Sequence, residues 1–402
     1  MKEGVGSMDL DLTTEIAGIR LRNPLIAASG PPTATSERMV RLIRAGAAGV
    51  VTKTASYDPD YRRSPRPRFN ILHKEALKTG FFSLHSVELA ARFTPEEIAD
   101  QVREVKSLAK REDGVVIASI AGRNEEEWIR LARMMAEAGA DMLELNLSCP
   151  HTTGIKDSLW GREAGSDPET CAFVIRTVKK ATGIPVIGKI TPDGSNPVQI
   201  AFGMLAGGVD ALVATARFSA LLIDVELEAP PLWGGYGGYG GPWMLPMSCR
   251  WVAKLMEAGV RVPIIGSGGV SDWRDVVSLL LVGAKAVQAC TAIIVKGATF
   301  FKDALRGLED WMLRKGYGSL GDFMGKALPR IVPFENLDRT TMYEAKIDEN
   351  RCNGCFQCAV SCPFDAIQIR QRKAFVDLDK CDGCGLCVAI CPVGAPSLLP
   401  KD

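Results

Sequence analysis

Two cysteine runs near the C-terminus constrain this chain more than any other feature. The first reads Cys352-Asn-Gly-Cys355-Phe-Gln-Cys358-Ala-Val-Ser-Cys362-Pro363, and the second Cys381-Asp-Gly-Cys384-Gly-Leu-Cys387-Val-Ala-Ile-Cys391-Pro392. Both follow the spacing C-x2-C-x2-C-x3-C-P. Three thiolates of one tight loop grip one face of an iron–sulfur cube, and the fourth, set apart by three residues and a proline, reaches the other cube. One 4Fe–4S cluster is therefore assigned to Cys352, Cys355, Cys358 and Cys391, and the other to Cys381, Cys384, Cys387 and Cys362. Zinc also binds C-x2-C pairs, but two complete four-cysteine runs, each followed by proline, fit cubanes better. Gly354, Gly383 and Gly385 leave room for backbone N–H groups to approach the sulfurs. Eight of the 12 cysteines lie in these runs, and Cys149, Cys171, Cys249 and Cys290 are scattered. That clustering speaks for metal rather than for a disulfide framework.

The balance of charge excludes other classes. With 24% charged residues and a formal net charge of +1, no basic stripe offers a nucleic-acid or polybasic membrane surface. No apolar run reaches the length of a membrane span, and the N-terminus lacks the apolar core of a secretory signal. The expected setting is the cytoplasm, with no nucleic acid and no membrane as partner.

Upstream of the cysteines, short β-branched apolar runs alternate with amphipathic stretches. The strands are read at Pro24–Ser29, Gly49–Thr54, Val115–Ala121, Met142–Ser148, Pro185–Thr191, Ala211–Ala216, Pro263–Ser267 and Ala284–Cys290. Helical patterns lie between most of them, among them Glu125–Ala138, Pro168–Ala181, Cys249–Ala258 and Trp273–Leu281. Eight strands alternating with helices over roughly 300 residues predict a (β/α)8 TIM barrel rather than an open sheet. The α/β barrel is expected over residues 9–316, a connector over 317–345, and a small α+β ferredoxin-like domain with two clusters over 346–402. Thr13–Arg22 reads as a hairpin plugging the barrel's bottom. No G-x-G-x-x-G follows a first strand, so no nicotinamide or FAD Rossmann domain is apparent.

Chemistry in such a barrel sits where the strands end. Strand two ends in Thr52-Lys53-Thr54, strand four in Asn146-Leu-Ser148-Cys149-Pro-His, strand five in Lys189, strand seven in Gly266-Ser-Gly268-Gly269 and strand eight in Cys290-Thr291. Glycines there let backbone amides wrap a phosphate. Two lysines aimed into the mouth stabilise negative charge. A lone strand-end lysine is often only a salt-bridge partner, and a lone buried cysteine is usually inert packing. It is their joint placement that points to a site.

These residues carry a resemblance. The stretches Ala28-Ser29-Gly30-Pro31, Thr52-Lys53-Thr54, Ala138 to His151, Lys189-Ile-Thr-Pro192, Tyr239-Gly-Gly241, the connector Ile331 to Arg339 and both cysteine runs resemble the catalytic subunits of bacterial dihydropyrimidine dehydrogenases. More distantly, the barrel is similar to that of dihydroorotate dehydrogenases. The resemblance implies FMN in the barrel mouth. It places Ala28, Ser29, Thr54, Asn146, Thr215 and Gly241 around the flavin, and Lys53 and Lys189 near its ring. Gly268, Gly269, Cys290 and Thr291 would hold the phosphate. A hydride passes to one carbon of an activated C=C bond while Cys149 protonates the other, and Asn146 and Ser148 contact the substrate. The family further implies a homodimer core, and an NAD(P)H-oxidising flavoprotein subunit or a soluble ferredoxin as redox partner.

Two departures matter. The family reads a pyrimidine ring through asparagines. This chain has Arg62 or Arg63 before Ser64-Pro65-Arg66, and Thr215-Ala216-Arg217 after strand six. Asparagine offers a donor and an acceptor, whereas arginine offers donors only. A substrate other than uracil or thymine is expected, with a carboxylate, acyl carbonyl or phosphate facing Arg62 and Arg217. The stretch Pro230 to Trp243, rich in Gly, Tyr and Trp, reads as a lid over the rim or as a low-complexity surface loop. Three other functions remain open: an electron-transfer module without a small substrate, a dihydrouridine-type RNA enzyme, and a true dihydropyrimidine dehydrogenase. A pure relay has no need of a proton donor at Cys149, and the neutral charge argues against RNA.

Overall fold

A computed structural model describes residues 10–148, 159, 161–232 and 235–401. The described residues form two compact units, the first ending at Arg330 and the second beginning at Ile331.

The first unit is a closed barrel of eight parallel strands. In chain order they are Leu25–Ala27, Gly49–Val51, Val115–Ile120, Met142–Leu145, Val186–Lys189, Ala211–Ala214, Ile264–Ser267 and Ala286–Ala289. Each falls inside the run that predicts it. Strand eight pairs with strand one, Val287 opposite Leu25, which closes the ring. These strands are buried on both faces, so they read as continuous apolar runs rather than alternating ones. Val115–Ile120, for instance, is buried at every position.

The helices start where capping chemistry places them. Asn124 accepts from Glu127 N–H ahead of Glu125–Glu137, and Asp167 from Thr170 N–H ahead of Pro168–Ala181. Asp272 caps Trp273–Leu281 within a capping box closed by Asp275. The helix expected at Cys249–Ala258 begins earlier, spanning Leu245–Glu257. Its first turn follows Pro242-Trp-Met244, whose 3-10 turn leads straight into it.

A hairpin, Thr14–Ile16 with Ile19–Leu21, supplies Ile16 and Leu21 to a fully buried cluster with Ile26, Val51, Ile117, Ile187 and Val213 from inside the barrel. The lower end is thereby filled with side chains. Residues 317–330, read from sequence as the start of a connector, pack on this unit. Leu320 and Phe323 are buried in its core, and Gly325 N–H donates to Leu280 O at 2.9 Å.

A four-stranded antiparallel sheet is inserted at the barrel's other end. Its order is Phe218–Ala220, Gly237–Gly240, Ser83–Ser86, Phe69–Leu72. The glycine-rich stretch is thus in part a strand. Among its described residues, Gly238 pairs with Ser86 and Tyr239 with His85.

The second unit pairs Tyr343–Ile347 with Pro396–Pro400 and Ile367–Arg370 with Lys373–Val376, and carries two short helices, Gln357–Val360 and Leu386–Ile390. Among the described residues, no helix is long and apolar enough to cross a membrane.

Candidate active site and cluster sites

The C-terminal ends of the barrel strands open into a cleft of about 1230 Å³, solvent at its mouth included. Strands one and two bring Ala28, Ser29, Lys53 and Thr54 to it, and strands four and five Glu144, Asn146, Ser148 and Lys189. Strands six to eight add Thr215, Arg217, Gly268, Gly269, Cys290 and Thr291, and Gly241 closes the rim. Every residue read from sequence as a flavin contact therefore lines one space. Of the four substrate candidates, Asn146, Ser148 and Arg217 line it and Arg62 does not. Tyr61 takes the wall position beside Arg62, whose Nε is buried without a hydrogen-bond partner among the described residues. Cys149 lies outside the described residues.

The cleft's charges are arranged in pairs. Lys53 is buried, with its Nζ 3.0 Å from Glu88 Oε1 and donating to Leu89 O. Glu88 also forms an ion pair with Arg68 at 2.5 Å. Burial pushes the Lys53 ammonium below the ordinary lysine range, and Glu88 opposes that fall. Lys189 Nζ donates to Glu144 Oε1 and to Gln288 Oε1, each at 3.2 Å, and Gln288 Nε2 donates to Glu144 Oε2 at 2.6 Å. Each lysine thus has its own carboxylate.

Arg217 does not. Its Nη1 donates to Ser86 Oγ at 2.5 Å and to Gly238 O at 3.4 Å, both neutral acceptors. Ser86 faces the cleft with Leu84, the alternate residue of their strand, and with Phe82 just ahead of it. The opposing glycines make room for the arginine. A Cβ on Gly238 would lie 2.5 Å from Arg217 Cζ, and one on Gly237 2.6 Å from His85 Nε2. Glycine is needed in this strand because a guanidinium and an imidazole pack against it. Two aromatics of the stretch pack on each other, Tyr239 stacking on Trp243 at 4.7 Å, while Tyr236 is exposed.

On the far side, Asn146 Nδ2 donates to Thr54 Oγ1 at 3.0 Å, which sits 2.9 Å from Ser119 Oγ. Ser148 Oγ donates to Asn146 Oδ1 at 3.3 Å. The remaining thiols differ in setting. Burial pushes Cys171 up to about 12 and Cys249 up to about 11, as befits inert packing thiols. Cys290 is also pushed up by burial, but Arg217, Lys53 and Lys189 oppose the shift.

FMN fits this cleft. Gly268 and Gly269 have φ +103° and +85°, and a Cβ on Gly269 would lie 2.2 Å from Leu245 N. No side chain can occupy that cradle, which leaves backbone for a phosphate. Beside it Ser248 Oγ is buried without a hydrogen-bond partner among the described residues, 2.6 Å from where a Gly268 Cβ would stand.

The cysteines of the second unit line two further cavities. One, of about 290 Å³, is walled by Cys352, Cys355, Cys358 and Cys391, and the other, of about 340 Å³, by Cys362, Cys381, Cys384 and Cys387. The crossed ligand sets read from the spacing are the sets that share each cavity. Among the described residues, no three Cys, His, Asp or Glu side chains meet as a single-ion site. Four thiols around an apolar space suit a cube. Gly354 and Gly383, at φ +69° and +71°, let each ligand loop press on a backbone carbonyl, Arg372 O and Tyr343 O. Protein purified without oxygen is expected to hold about eight iron and eight acid-labile sulfide per chain, from two cubanes, together with one FMN. Zinc in place of iron after anaerobic reconstitution would overturn the cluster assignment.

Sequence reasoning missed Glu88 and Glu144. Glu144 carried a signal, because it interrupts the apolar run Met142-Leu-Glu-Leu145 inside a strand buried on both faces.

Comparison with known proteins agrees with this geometry. Residues 11–312 match the dihydroorotate dehydrogenase family, and residues 345–397 match the 4Fe-4S dicluster domain. The chain is 33% identical over 359 residues to the NAD-dependent dihydropyrimidine dehydrogenase subunit PreA of Escherichia coli (strain K12), covering 88% of this chain and 85% of that one. It is 34% identical over 319 residues to the catalytic subunit of dihydroorotate dehydrogenase B (NAD(+)) of Pyrococcus abyssi, covering 79% of this chain and 99% of that one. With this barrel, this cleft and these crossed cysteine sets, the chain belongs to the dihydroorotate dehydrogenase family and is an FMN and iron–sulfur oxidoreductase acting on CH–CH bonds.

Proposed function

We propose that this chain is a catalytic subunit that reduces or forms a C=C bond conjugated to a carboxylate or other anionic carbonyl group. The observation that carries the reading is Arg217. Among the described residues lining the cleft, Lys53 and Lys189 each have a carboxylate partner, while Arg217 is met only by a hydroxyl and a carbonyl. A half-buried guanidinium with neutral partners favours an incoming anion, and its planar fork matches a carboxylate. The relatives' names mention dihydroorotate and dihydropyrimidines. Of these, dihydroorotate carries a carboxylate.

When bound, FMN supplies the two-electron chemistry and the clusters supply or remove electrons one at a time. The chain's residues do the rest. Arg217 orients the substrate's anionic end against the wall formed by Ser86. Asn146, steadied by Thr54 and Ser148, offers the cleft a neutral amide. Lys53 and Lys189, held in place by Glu88 and Glu144, keep positive charge at the cleft floor where negative charge develops. The Cys149 thiol delivers a proton to the carbon next to the one that takes the hydride, and takes it back in the reverse direction. Arg62 is left out of the site.

The test is a titration of the oxidised flavin spectrum with uracil, orotate and simple unsaturated carboxylates. The carboxylates are expected to perturb the flavin at lower concentration than uracil. Tight uracil binding with efficient reduction to dihydrouracil would make the chain a dihydropyrimidine dehydrogenase and remove the anion-binding role from Arg217.

The same reading gives the chain a redox partner, an NAD(P)H-oxidising flavoprotein subunit or a soluble ferredoxin, and a homodimer core. The G-x-G-x-x-G spelled by Gly235 to Gly240 runs into a strand of the inserted sheet, Gly237–Gly240, not from a first strand into a helix, so it is not a Rossmann fingerprint. The isolated chain is therefore expected to leave its flavin oxidised when mixed with NADH under anaerobic conditions. Rapid bleaching of the flavin by NADH alone would refute the need for a partner.

A further inference from the structure

The two cysteine runs repeat one another, and the scaffold around them repeats as well. Each holds its third cysteine in a short helix, Gln357–Val360 and Leu386–Ile390, and each leaves its second cysteine, Cys355 and Cys384, exposed. The charges around the two sites repeat only in part: Asp348 and Asp377 each accept the N–H of the run's first cysteine, and Arg351 and Lys380 each precede it, but the other charges differ.

Near the first site, Lys373 Nζ donates to the carbonyl of the ligand Cys352 at 2.6 Å. Arg351 Nη2 donates to Val393 O at 2.9 Å, and Val393 lines the same cavity. Arg372 places its carbonyl against Gly354 of the ligand loop. Against Lys373 and Arg351, with the exposed Arg372 next to Lys373 in the chain, stand Asp348 and Glu349, just ahead of the run. Near the second site the balance is reversed. Asp382 lines the cavity. Asp377 accepts Cys381 N–H at its carbonyl, and Asp379 lies between the two. Asp365 follows the crossed ligand Cys362. Lys380 is the cation among these four carboxylates, 3.8 Å from Asp377.

Hydrogen bonds to sulfur lean the same way. Ala374 N–H points at Cys352 Sγ at 3.4 Å and Ala395 N–H at Cys391 Sγ at 3.3 Å, both ligands of the first site. At the second, Ala366 N–H points at Cys362 Sγ at 3.4 Å.

Reduction of a cubane adds one negative charge. Nearby cations and N–H···S bonds favour that charge, and nearby carboxylates oppose it. Exposed charges are screened over about 8 Å at physiological ionic strength. Lys373, in contact with a ligand's own backbone, is the cation least diluted by salt. We propose that the clusters are electrostatically unequal, and that the first electron taken up by this unit settles on the cluster held by Cys352, Cys355, Cys358 and Cys391. An electron delivered to the second cluster then moves downhill to the first. The inference rests on the assignment of two cubanes to these cysteines.

The test is a potentiometric titration of the anaerobic holoprotein with dithionite, followed by electron paramagnetic resonance. Two separate one-electron steps are expected. Lys373→Met moves the higher-potential step down and leaves the lower one in place. The double variant Asp379→Asn with Asp382→Asn moves the lower-potential step up. Raising the salt narrows the gap. Where Lys373→Met loses iron, the exposed Arg372→Gln reports on the same step. Coincident steps in the unaltered protein, or a shift of the lower step on removing Lys373 or Arg372, would overturn the proposal. Failure of the cubane assignment itself shows separately, as iron short of two full clusters in the unaltered protein.

Discussion

Replacing Cys149 with alanine is expected to cut turnover on the true substrate by about two or more orders of magnitude, the usual contribution of a positioned general acid. FMN and iron content should stay unchanged, and electrons should still reach the flavin through the clusters, since neither process uses this thiol. Cys149→Ser should keep a little more activity, because a hydroxyl in the same place is a poorer acid but still one. The measurement is steady-state turnover alongside anaerobic flavin reduction in one preparation. Near-normal turnover in Cys149→Ala would move the proton donor elsewhere. The reading rests on the run from Asn146 to His151, which follows barrel strand four in the sequence, and chemistry in such barrels sits after the strand ends.

The second large effect concerns Arg217. Arg217→Ala removes a charge-assisted hydrogen bond worth roughly 1.5–3 kcal/mol, so kcat/KM should fall about 10- to 150-fold. The fall should appear with carboxylate substrates and be much smaller with an uncharged amide or ester analogue of the same skeleton. That contrast separates binding from structure, since a collapsed cleft wall would harm both. Arg217→Lys should recover part of the loss, because an ammonium keeps the charge but not the fork. Flavin content should hold in both variants. Equal losses for charged and uncharged analogues would mean that Arg217 serves only to pack the wall against Ser86 and Gly238.

Much of this architecture could be read from the chain because its physics is local. Barrel strands such as Val115–Ile120 and Ala211–Ala214 announce themselves by continuous apolar burial. The cysteine spacing encodes even the crossing of ligands between cavities. What stayed hidden depends on long-range partners. Gly237–Gly240 has no apolar alternation to mark it as a strand. Its identity follows from pairing with Ser83–Ser86 and from the bulk of Arg217 and His85 against it. Arg62 and Arg217 looked equivalent in sequence, each at the end of a strand's loop. Only the fold shows that one lines the cleft and the other does not. The carboxylates that hold the two lysines lie far from them in the chain, Glu88 from Lys53 and Glu144 from Lys189, where no spacing rule links them.

The plugged base of the barrel has a kinetic consequence. Ile16 and Leu21 fill the end where the strands begin, so, among the described residues, the base gives the cleft no second doorway. Whatever sits deepest must arrive first and leave last. Exchange at the bottom is then gated by occupancy at the top, and a bound substrate analogue should slow the escape of a cofactor lodged beneath it. Flavin leakage during dialysis would serve as a clock for ligand residence in this cleft.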